Sequence, residues 1–247
     1  MHGLPINSKM IAIGGNMKKL VIIPAYNESS NILNTVQDIR KKAPDFDYIV
    51  INDCSKDDSL EILKKNNLNY IDLPVNLGIG GAVQTGYKYA MENDYDIAVQ
   101  VDGDGQHDPI YLSDLLNSLI EEKADMVIGS RFIENQGFQS TFMRRLGIVY
   151  FTRLIKILTG KIITDPTSGF RMAGRKVIEQ FATKYPKDYP EPESIVTLLK
   201  NDMMVVEVPV KMKARQGGES SIKMANSIYY MIKVSLAIFI EASKKNR

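Results

Sequence analysis

The densest run of side chains able to do chemistry is Asp102-Gly103-Asp104-Gly105-Gln106-His107-Asp108-Pro109, which directly follows the apolar stretch Ile97 to Val101. Two carboxylates one residue apart, on a turn made pliable by Gly103 and Gly105, can converge on one divalent ion. A magnesium or manganese ion held this way keeps some waters and takes its remaining ligands from substrate phosphates. Asp108 ahead of Pro109 has the order of a helix cap and first helical position. An acidic surface turn would account for Asp108, but not for two acids that end a buried strand. A calcium loop fails on register, because its sixth position would be His107 rather than Gly and its twelfth Ser113 rather than Glu.

The elements that must carry these residues follow from short apolar runs separated by helical patterns. Leu20 to Ile23 is β-branched and ended by Pro24, and Tyr48 to Ile51 is closed by Asn52-Asp53-Cys54-Ser55. Both read as buried strands. Further strands are expected at Asn69 to Leu73, Ile97 to Val101 and Met126 to Ile128. Helices between them are expected from Asn31 as cap with Ile32, Leu33, Val36 and Ile39 on one face, from Asp57 to Asn66, from the Gly-rich turn to about Asn93, and after Asp108-Pro109. Alternation of this kind predicts an α/β fold, a mostly parallel sheet with helices on both faces and ligands at the carboxyl ends of the strands. Glu28, Asp53, Asp102, Asp104 and Arg131 all fall just after strands, on that one rim. Beyond about residue 140 the alternation weakens. Phe142 to Leu158 reads as a helix, Asp165 to Arg171 as a turn, Pro186 to Pro192 as a proline-rich loop and Val205 to Val210 as a strand.

Bulk properties narrow the chemistry. A length of 247 residues allows one well-buried domain, and a net charge of +2 is too small to argue for nucleic acid. One cysteine excludes an intrachain disulfide framework, and with only two histidines a zinc site of nitrogen and sulfur ligands is disfavoured. Any metal is then a hard one held by oxygens. No apolar run reaches the roughly 18 residues of a membrane span. Residues 1–16 lack the basic start and long apolar segment of a secretory signal and are read as an extension outside the fold.

Other motifs carry less. The glycines of Asn76-Leu77-Gly78-Ile79-Gly80-Gly81-Ala82 fit neither a dinucleotide fingerprint nor a P-loop, since Tyr87 stands where the P-loop needs lysine. A tight turn into a helix suffices there. Arg131, Arg144, Arg145, Arg171 and Arg215 lie mostly beside turns, where arginine's planar fork suits phosphate. Solvated surface charge is the default for any one of them. Arg131, at a strand end, and Arg215, heading a glycine-containing segment, are favoured as phosphate contacts, with Arg145 next and Arg171 structural. Glu28 could equally cap the helix that follows it, an acid being favourable near a helix start, whereas Asp53, in line with the other rim acids, is favoured as a functional residue over a cap.

Five motifs in order resemble the family-2 glycosyltransferases: Pro24-Ala25-Tyr26-Asn27-Glu28, Asn52-Asp53-Cys54-Ser55, Asn76 to Gly80, Asp102 to Pro109, and Asp165-Pro166-Thr167-Ser168-Gly169-Phe170-Arg171. The likeness is to dolichyl-phosphate mannose synthases and bacterial polyprenyl-phosphate glycosyltransferases, and covers about residues 18–223. It implies the GT-A fold, placed over residues 17–223, and the apolar and basic stretch over residues 224–247 is read as a C-terminal helix beyond it. Pro24, Ala25, Tyr26, Glu28 and Asp53 would then surround the nucleotide; Asp102 would touch nucleotide and metal; Asp104 and Gln106 would ligate the metal, Mg2+ or Mn2+. The chain has Asn52 where the family often has a second acid. The resemblance also implies an inverting hexosyl transfer from a nucleotide diphosphate sugar, a uridine diphosphate donor being favoured over guanosine.

The acceptor decides whether a base is needed. A lipid monophosphate has a second pKa near ~6, by analogy with phosphorylated side chains, and is already nucleophilic at neutral pH. A sugar hydroxyl needs a carboxylate to take its proton. Asp165 is the candidate base or orienting acid, with Glu191 and Glu193 weaker; its plain alternative is an Asp-Pro turn. Arg131, Arg145, Arg215 and Ser168 are the candidate contacts for an acceptor phosphate. Ile228 to Ile240 is strongly apolar and followed by Lys244, Lys245 and Arg247, the character of a helix lying on an anionic membrane surface, although a core helix or an oligomer contact has the same pattern. The expected protein is a cytoplasmic enzyme, peripheral at the inner face of the cell membrane, acting on a polyprenyl phosphate, resting on the membrane or on a separate membrane subunit, and open to forming a homo-oligomer. Transfer to a sugar hydroxyl of a cell-surface polysaccharide, and a catalytically silent donor-binding subunit, are the alternatives.

Overall fold

A computed structural model describes residues 17–134, 142–187, 190–213 and 226–243. Residues 1–16, read above as an extension, and Arg215 lie outside them. Seven strands form one sheet in the order β3-β2-β1-β4-β6-β5-β7. They are β1 (Lys19–Ala25), β2 (Asp47–Asn52), β3 (Tyr70–Asp72), β4 (Ile97–Gln100), β5 (Met126–Ser130), β6 (Arg171–Gly174) and β7 (Val205–Pro209). All pairings are parallel except those of β6, which runs against β4 on one side and β5 on the other.

The central strands read as near-continuous apolar runs because both faces are covered, as parallel sheets require. Successive side chains alternate between the two faces. Leu20, Ile22, Ile49 and Ile51 point into one cluster with Val83 and Tyr87 of α3 (Gly78–Glu92), Val177 and Phe181 of α6 (Arg175–Thr183) and Ile195 of α7 (Pro190–Lys200). Val21, Ile23 and Val50 point into the other, with Val36 and Ile39 of α1 (Ile32–Lys42), Leu63 of α2 (Ser59–Lys65) and Leu115 of α4 (Leu112–Glu121). Two further helices, α5 (Phe142–Thr159) and α8 (Asn226–Ser243), both pack on α7. Gly86 lets α3 lie close on β1, since a Cβ there would stand 2.2 Å from Ile22 Cγ2.

Three local expectations change. β1 runs through Pro24 to Ala25 rather than stopping at Ile23. The strand continues through Pro24 because the proline lacks only its N–H, while its carbonyl still accepts from Gly103 N. Pro190 and Pro192 open α7 rather than prolonging a loop, because a first helical turn has no use for their amide hydrogens. Arg171 begins β6 rather than ending a turn; with only Met172 and Ala173 apolar in four residues, this strand is set by ladders on both sides and not by its own pattern.

Candidate active site at the carboxyl rim of the sheet

The loops after β1, β2 and β4 are tied to one another before any ligand is considered. Asn27, in a left-handed conformation with φ 55°, donates its amide to Ser55 Oγ and accepts from Lys56 N through Oδ1. Glu28 is buried; its amide donates to Ser59 Oγ and its Oε2 accepts from Asn31 Nδ2. Asn31 therefore sits at the N-cap position of α1 without capping it through its side chain. Asp53 is buried too: its amide donates to Ala25 O and its Oδ1 accepts from Leu77 N at 2.7 Å, at the start of α3. Burial pushes the Asp53 carboxyl above its ordinary range, against the pull of the Leu77 and Gly78 amides. Asp53 thus holds the Asn76 to Gly80 segment rather than capping the helix that follows it. Pro24 and Ala25 are buried at the end of β1, and Tyr26 is exposed beside them.

The glycines of that segment answer to packing. A Cβ on Gly80 would stand 2.2 Å from the carbonyl oxygen of Pro186, and Gly80 N donates to Lys187 O.

Beyond β4 the chain continues to pair, with Val101 N donating to Ile22 O and Gly103 N to Pro24 O, so Asp102 projects from the rim between two fixed points. The Asp102 carboxylate is 35% exposed. Its Oδ1 accepts from Gln100 Nε2 at 2.9 Å, and its backbone amide donates to Nδ1 of His107 at 3.1 Å. Because His107 Nδ1 accepts, the neutral ring carries its hydrogen on Nε2, which lies 3.8 Å from Asp102 Oδ2. The ring is buried and stacked on Phe170, centroids 4.9 Å apart. Asp104 is buried and accepts from Gln106 N through Oδ1. Gln106 is anchored to Lys213, donating from Nε2 to its carbonyl and accepting at its own carbonyl from Lys213 N. Asp108 caps the short helical turn at Pro109–Tyr111 by accepting from Ile110 N.

This donor set fits a divalent ion of the magnesium or manganese kind. Among the described residues no three His, Cys, Asp or Glu side chains converge in metal-binding reach. Two carboxylates and an amide, however, are what such an ion takes when phosphates complete its shell. Gly169 also passes close enough that a Cβ would stand 3.3 Å from both Asp102 oxygens, so only a bare backbone leaves them room. Gln100 Oε1, next to them, is buried with no hydrogen-bond partner among the described residues, an acceptor left over beside the acids.

The far side of the rim is organised by one ion pair. Arg131, at the end of β5, grips Asp165 with two bonds of 2.7 Å, Nε to Oδ2 and a terminal nitrogen to Oδ1, and its backbone amide also donates to Oδ2. The Asp165 side chain is 0% exposed and Arg131 is 6% exposed. Asp165 N in turn donates to Glu207 of β7, which also accepts from Thr164 N and Thr164 Oγ1. Burial raises the Glu207 carboxyl, although these donors oppose it. Ser168 is buried and donates to Gly129 O at 2.7 Å, its hydroxyl committed to the backbone. Arg145 is exposed on α5. Arg171 is buried and bonds the carbonyls of Ser168, Pro166 and Glu191, which fastens the turn before β6 to the start of α7.

The structure therefore brings Pro24, Ala25, Glu28, Asp53, Asp102, Asp104 and Gln106 onto one half of the rim and Arg131, Asp165 and Ser168 onto the other. His107, Gln100, Glu207 and Lys213 were not singled out as site residues. Only His107 carried a signal, a histidine inside an acidic turn. Glu207 and Lys213 come from the far end of the chain and nothing local points to them.

Residues 20–181 match the family described as Glycosyl transferase family 2. The UDP-N-acetylglucosamine–dolichyl-phosphate N-acetylglucosaminyltransferase of Methanococcus voltae is 30% identical over 211 residues, covering 77% of this chain and 84% of that protein. The polyprenol monophosphomannose synthase of Mycolicibacterium smegmatis is 29% identical over 228 residues, 88% of this chain and 86% of that one. Among solved structures, glucosyl-3-phosphoglycerate synthase from Mycobacterium tuberculosis, in complex with Mn2+, UDP-glucose and phosphoglyceric acid, superposes with a TM-score of 0.75 at 17% identity, covering 100% of this chain and 86% of that one. That likeness gives the fold, a mostly parallel GT-A sheet flanked by helices. With the family matched over most of the sheet and the five motifs on its rim, this chain belongs to glycosyl transferase family 2 and is a glycosyltransferase.

Proposed function

We propose that the enzyme moves a hexose, with inversion, from a nucleotide diphosphate sugar to a polyprenyl phosphate, and that it does so at the cytoplasmic face of a membrane. The names of the relatives support the lipid-phosphate acceptor. The observation that carries it is the Arg131–Asp165 pair. Both oxygens of Asp165 are bonded to Arg131 and the side chain is closed to solvent, which suits an acid that orients a cation and not one that takes a proton from a hydroxyl. A dianionic phosphate needs no such base.

In this reading Asp102, Asp104 and Gln106 hold Mg2+ or Mn2+, which when bound offsets the charge growing on the departing diphosphate. Gln100 and His107 keep Asp102 aimed, and Asp53 with Glu28 shapes the nucleotide side, a uridine diphosphate being the favoured donor. Arg131, kept in one rotamer by Asp165, offers its guanidinium edge to the acceptor phosphate, with Arg145 and Arg215 as further cations and Ser168 fixing the turn between them.

The test supplies a panel of nucleotide sugars, with manganese or with chelator, to a short-chain polyprenyl phosphate or to a sugar with a free hydroxyl. Transfer to the phosphate alone, lost on changing Asp102 and Asp104 to Asn, is the expected result. Transfer only to the hydroxyl acceptor overturns the acceptor, and donor binding without turnover on either makes the chain a silent subunit.

A further inference from the structure

Two buried polar atoms on one side of the sheet have no hydrogen-bond partner among the described residues, Gln100 Oε1 and the Tyr185 hydroxyl. Side chains alternate across a strand, so Gln100 and Asp102 share with Ala98 the face that packs on α3, α6 and α7, and Arg171 shares it with Ala173. Tyr185, just after α6, stands on that face too, its ring centroid 4.8 Å from that of Phe181 and 5.7 Å from that of Tyr87. Its hydroxyl feels the charges of Arg171, Glu191 and Asp102, which puts it with them at the rim end of this layer. The backbone beyond Tyr185 is pinned to the nucleotide half. Gly80 N, at the start of α3, donates to Lys187 O, and Leu77 N three residues earlier is held by Asp53.

The missing partners define a chemical group. An ionised Asp102 can only accept, so the Gln100 amide turns Nε2 toward it, in the bond of 2.9 Å, and Oε1 is left over as an acceptor. The Tyr185 hydroxyl has a hydrogen to give as well as lone pairs. A phosphate oxygen could take that hydrogen but has none to give to Gln100. A cation could take the Gln100 oxygen but would leave the Tyr185 hydrogen unspent. A ring dense in hydroxyls serves both, since each hydroxyl donates once and also accepts. Native structures leave few buried polar groups unpaired, because each one costs stability. Here two of them stand on the same side of the sheet as the carboxylate that faces the departing diphosphate.

We propose that Gln100 and Tyr185 read hydroxyls of the donor hexose, which makes Tyr185 a specificity-determining residue of the enzyme. The inference rests on the nucleotide-sugar donor proposed above and not on the acceptor. Wild type and Tyr185→Phe, which removes one oxygen and keeps the ring, are titrated by calorimetry in the presence of manganese. The ligands are UDP, UDP-glucose, UDP-galactose, UDP-N-acetylglucosamine, GDP and GDP-mannose. The free nucleotides should bind both proteins alike. The best-bound sugar nucleotide should bind the variant about three- to ten-fold more weakly, the range for one lost hydrogen bond between neutral groups. Monodeoxy forms of that ligand then locate the hydroxyl: one of them should bind wild type as weakly as the variant binds the parent, and should bind both proteins alike. Without ligand the variant should melt no lower than wild type, since it loses a hydroxyl that had no partner. An equal loss for nucleotide and sugar nucleotide overturns the inference. So does a variant that melts lower yet binds every ligand like wild type, because the partner of the hydroxyl would then be a trapped water. Sugar-nucleotide binding that the variant leaves unchanged strikes this inference alone, whereas a wild type that binds nucleotides but no sugar nucleotide strikes the donor reading with it.

Discussion

Replacing Asp165 with Asn separates the two roles an acid can have at this rim. The pair it breaks is closed to solvent, with two charge-assisted bonds of 2.7 Å and a third from the Arg131 amide. Removing one partner of a buried pair costs about 3–5 kcal/mol, chiefly because the other charge stays buried and unpaired. Asparagine keeps one acceptor oxygen, which puts the loss at the lower end, about 3 kcal/mol, or about 6–12 °C in Tm for a domain of this size. Arg131→Met alone should cost a similar amount, and the double variant clearly less than the sum, because an apolar side chain next to a neutral amide leaves no orphaned charge. Thermal melts of the four proteins give this cycle directly. Transfer to a polyprenyl phosphate, measured across pH on the folded fraction, should fall in rate while its profile keeps its shape, since no proton passes through Asp165. Strict additivity of the two losses would refute the coupling. A rate loss of about 10²–10⁴ with disappearance of the acidic limb would refute the orienting role and make Asp165 a general base.

Three further outcomes follow from the same geometry. Gly169→Ala should cost little stability but weaken manganese-dependent donor binding at least ten-fold by calorimetry, because the new Cβ would stand 2.9 Å from Gln100 Nε2 and crowd both Asp102 oxygens. His107→Phe keeps the stack on Phe170 but strands the Asp102 amide, at a cost of about 1–3 kcal/mol, and should weaken manganese binding more than His107→Asn, which can restore an acceptor. The pH dependence of stability should have two opposite parts. Burial pushes Asp108 and Asp38 up, but hydrogen bonds from Lys42 and Lys213 outweigh it and hold both below the ordinary value. Their contribution is present above that value and lost as pH falls through the lowered pKa, so Asp108→Asn should flatten the acidic arm of urea denaturation, most visibly at low salt. Glu207 and Asp53 are raised by burial, so their contribution is full at low pH and is lost as pH rises through the raised values; Glu207→Gln should remove part of that decline.

The first half of the chain was legible because β1, β2 and β4 are buried apolar runs and the rim acids sit one to four positions beyond them. Periodicity alone locates Asp53, Asp102 and Asp104, and neighbours in space follow from neighbours in pattern. The second half resists this reading for physical reasons. β6 is four residues long and owes its conformation to β4 and β5, which lie far from it in sequence. Pro190 and Pro192 look like loop punctuation unless the helix they start is already known. The commitment of Asp165 to Arg131 joins residues 34 apart, and the support from Glu207 another 42 away, so neither spacing nor residue type announces it. The His107 tautomer depends on a hydrogen bond to a backbone amide, a geometry that no residue list contains.

The antiparallel setting of β6 has a consequence for how such enzymes can diversify. Between the end of β5 and the start of β6 the chain makes a long detour that departs from the rim and comes back to the same spot, its two feet clasped by Ser130 to Thr164 at 2.7 Å and by Arg131 to Asp165. What lies between those feet pairs with no strand, so its length can change without altering a ladder of the sheet, provided the core contacts of Phe151 and Ile155 on α5 are kept. On the acceptor reading proposed above, the acceptor side of the rim is carried by an insertion between β5 and β6, while the side assigned to the nucleotide stays built into the parallel strands.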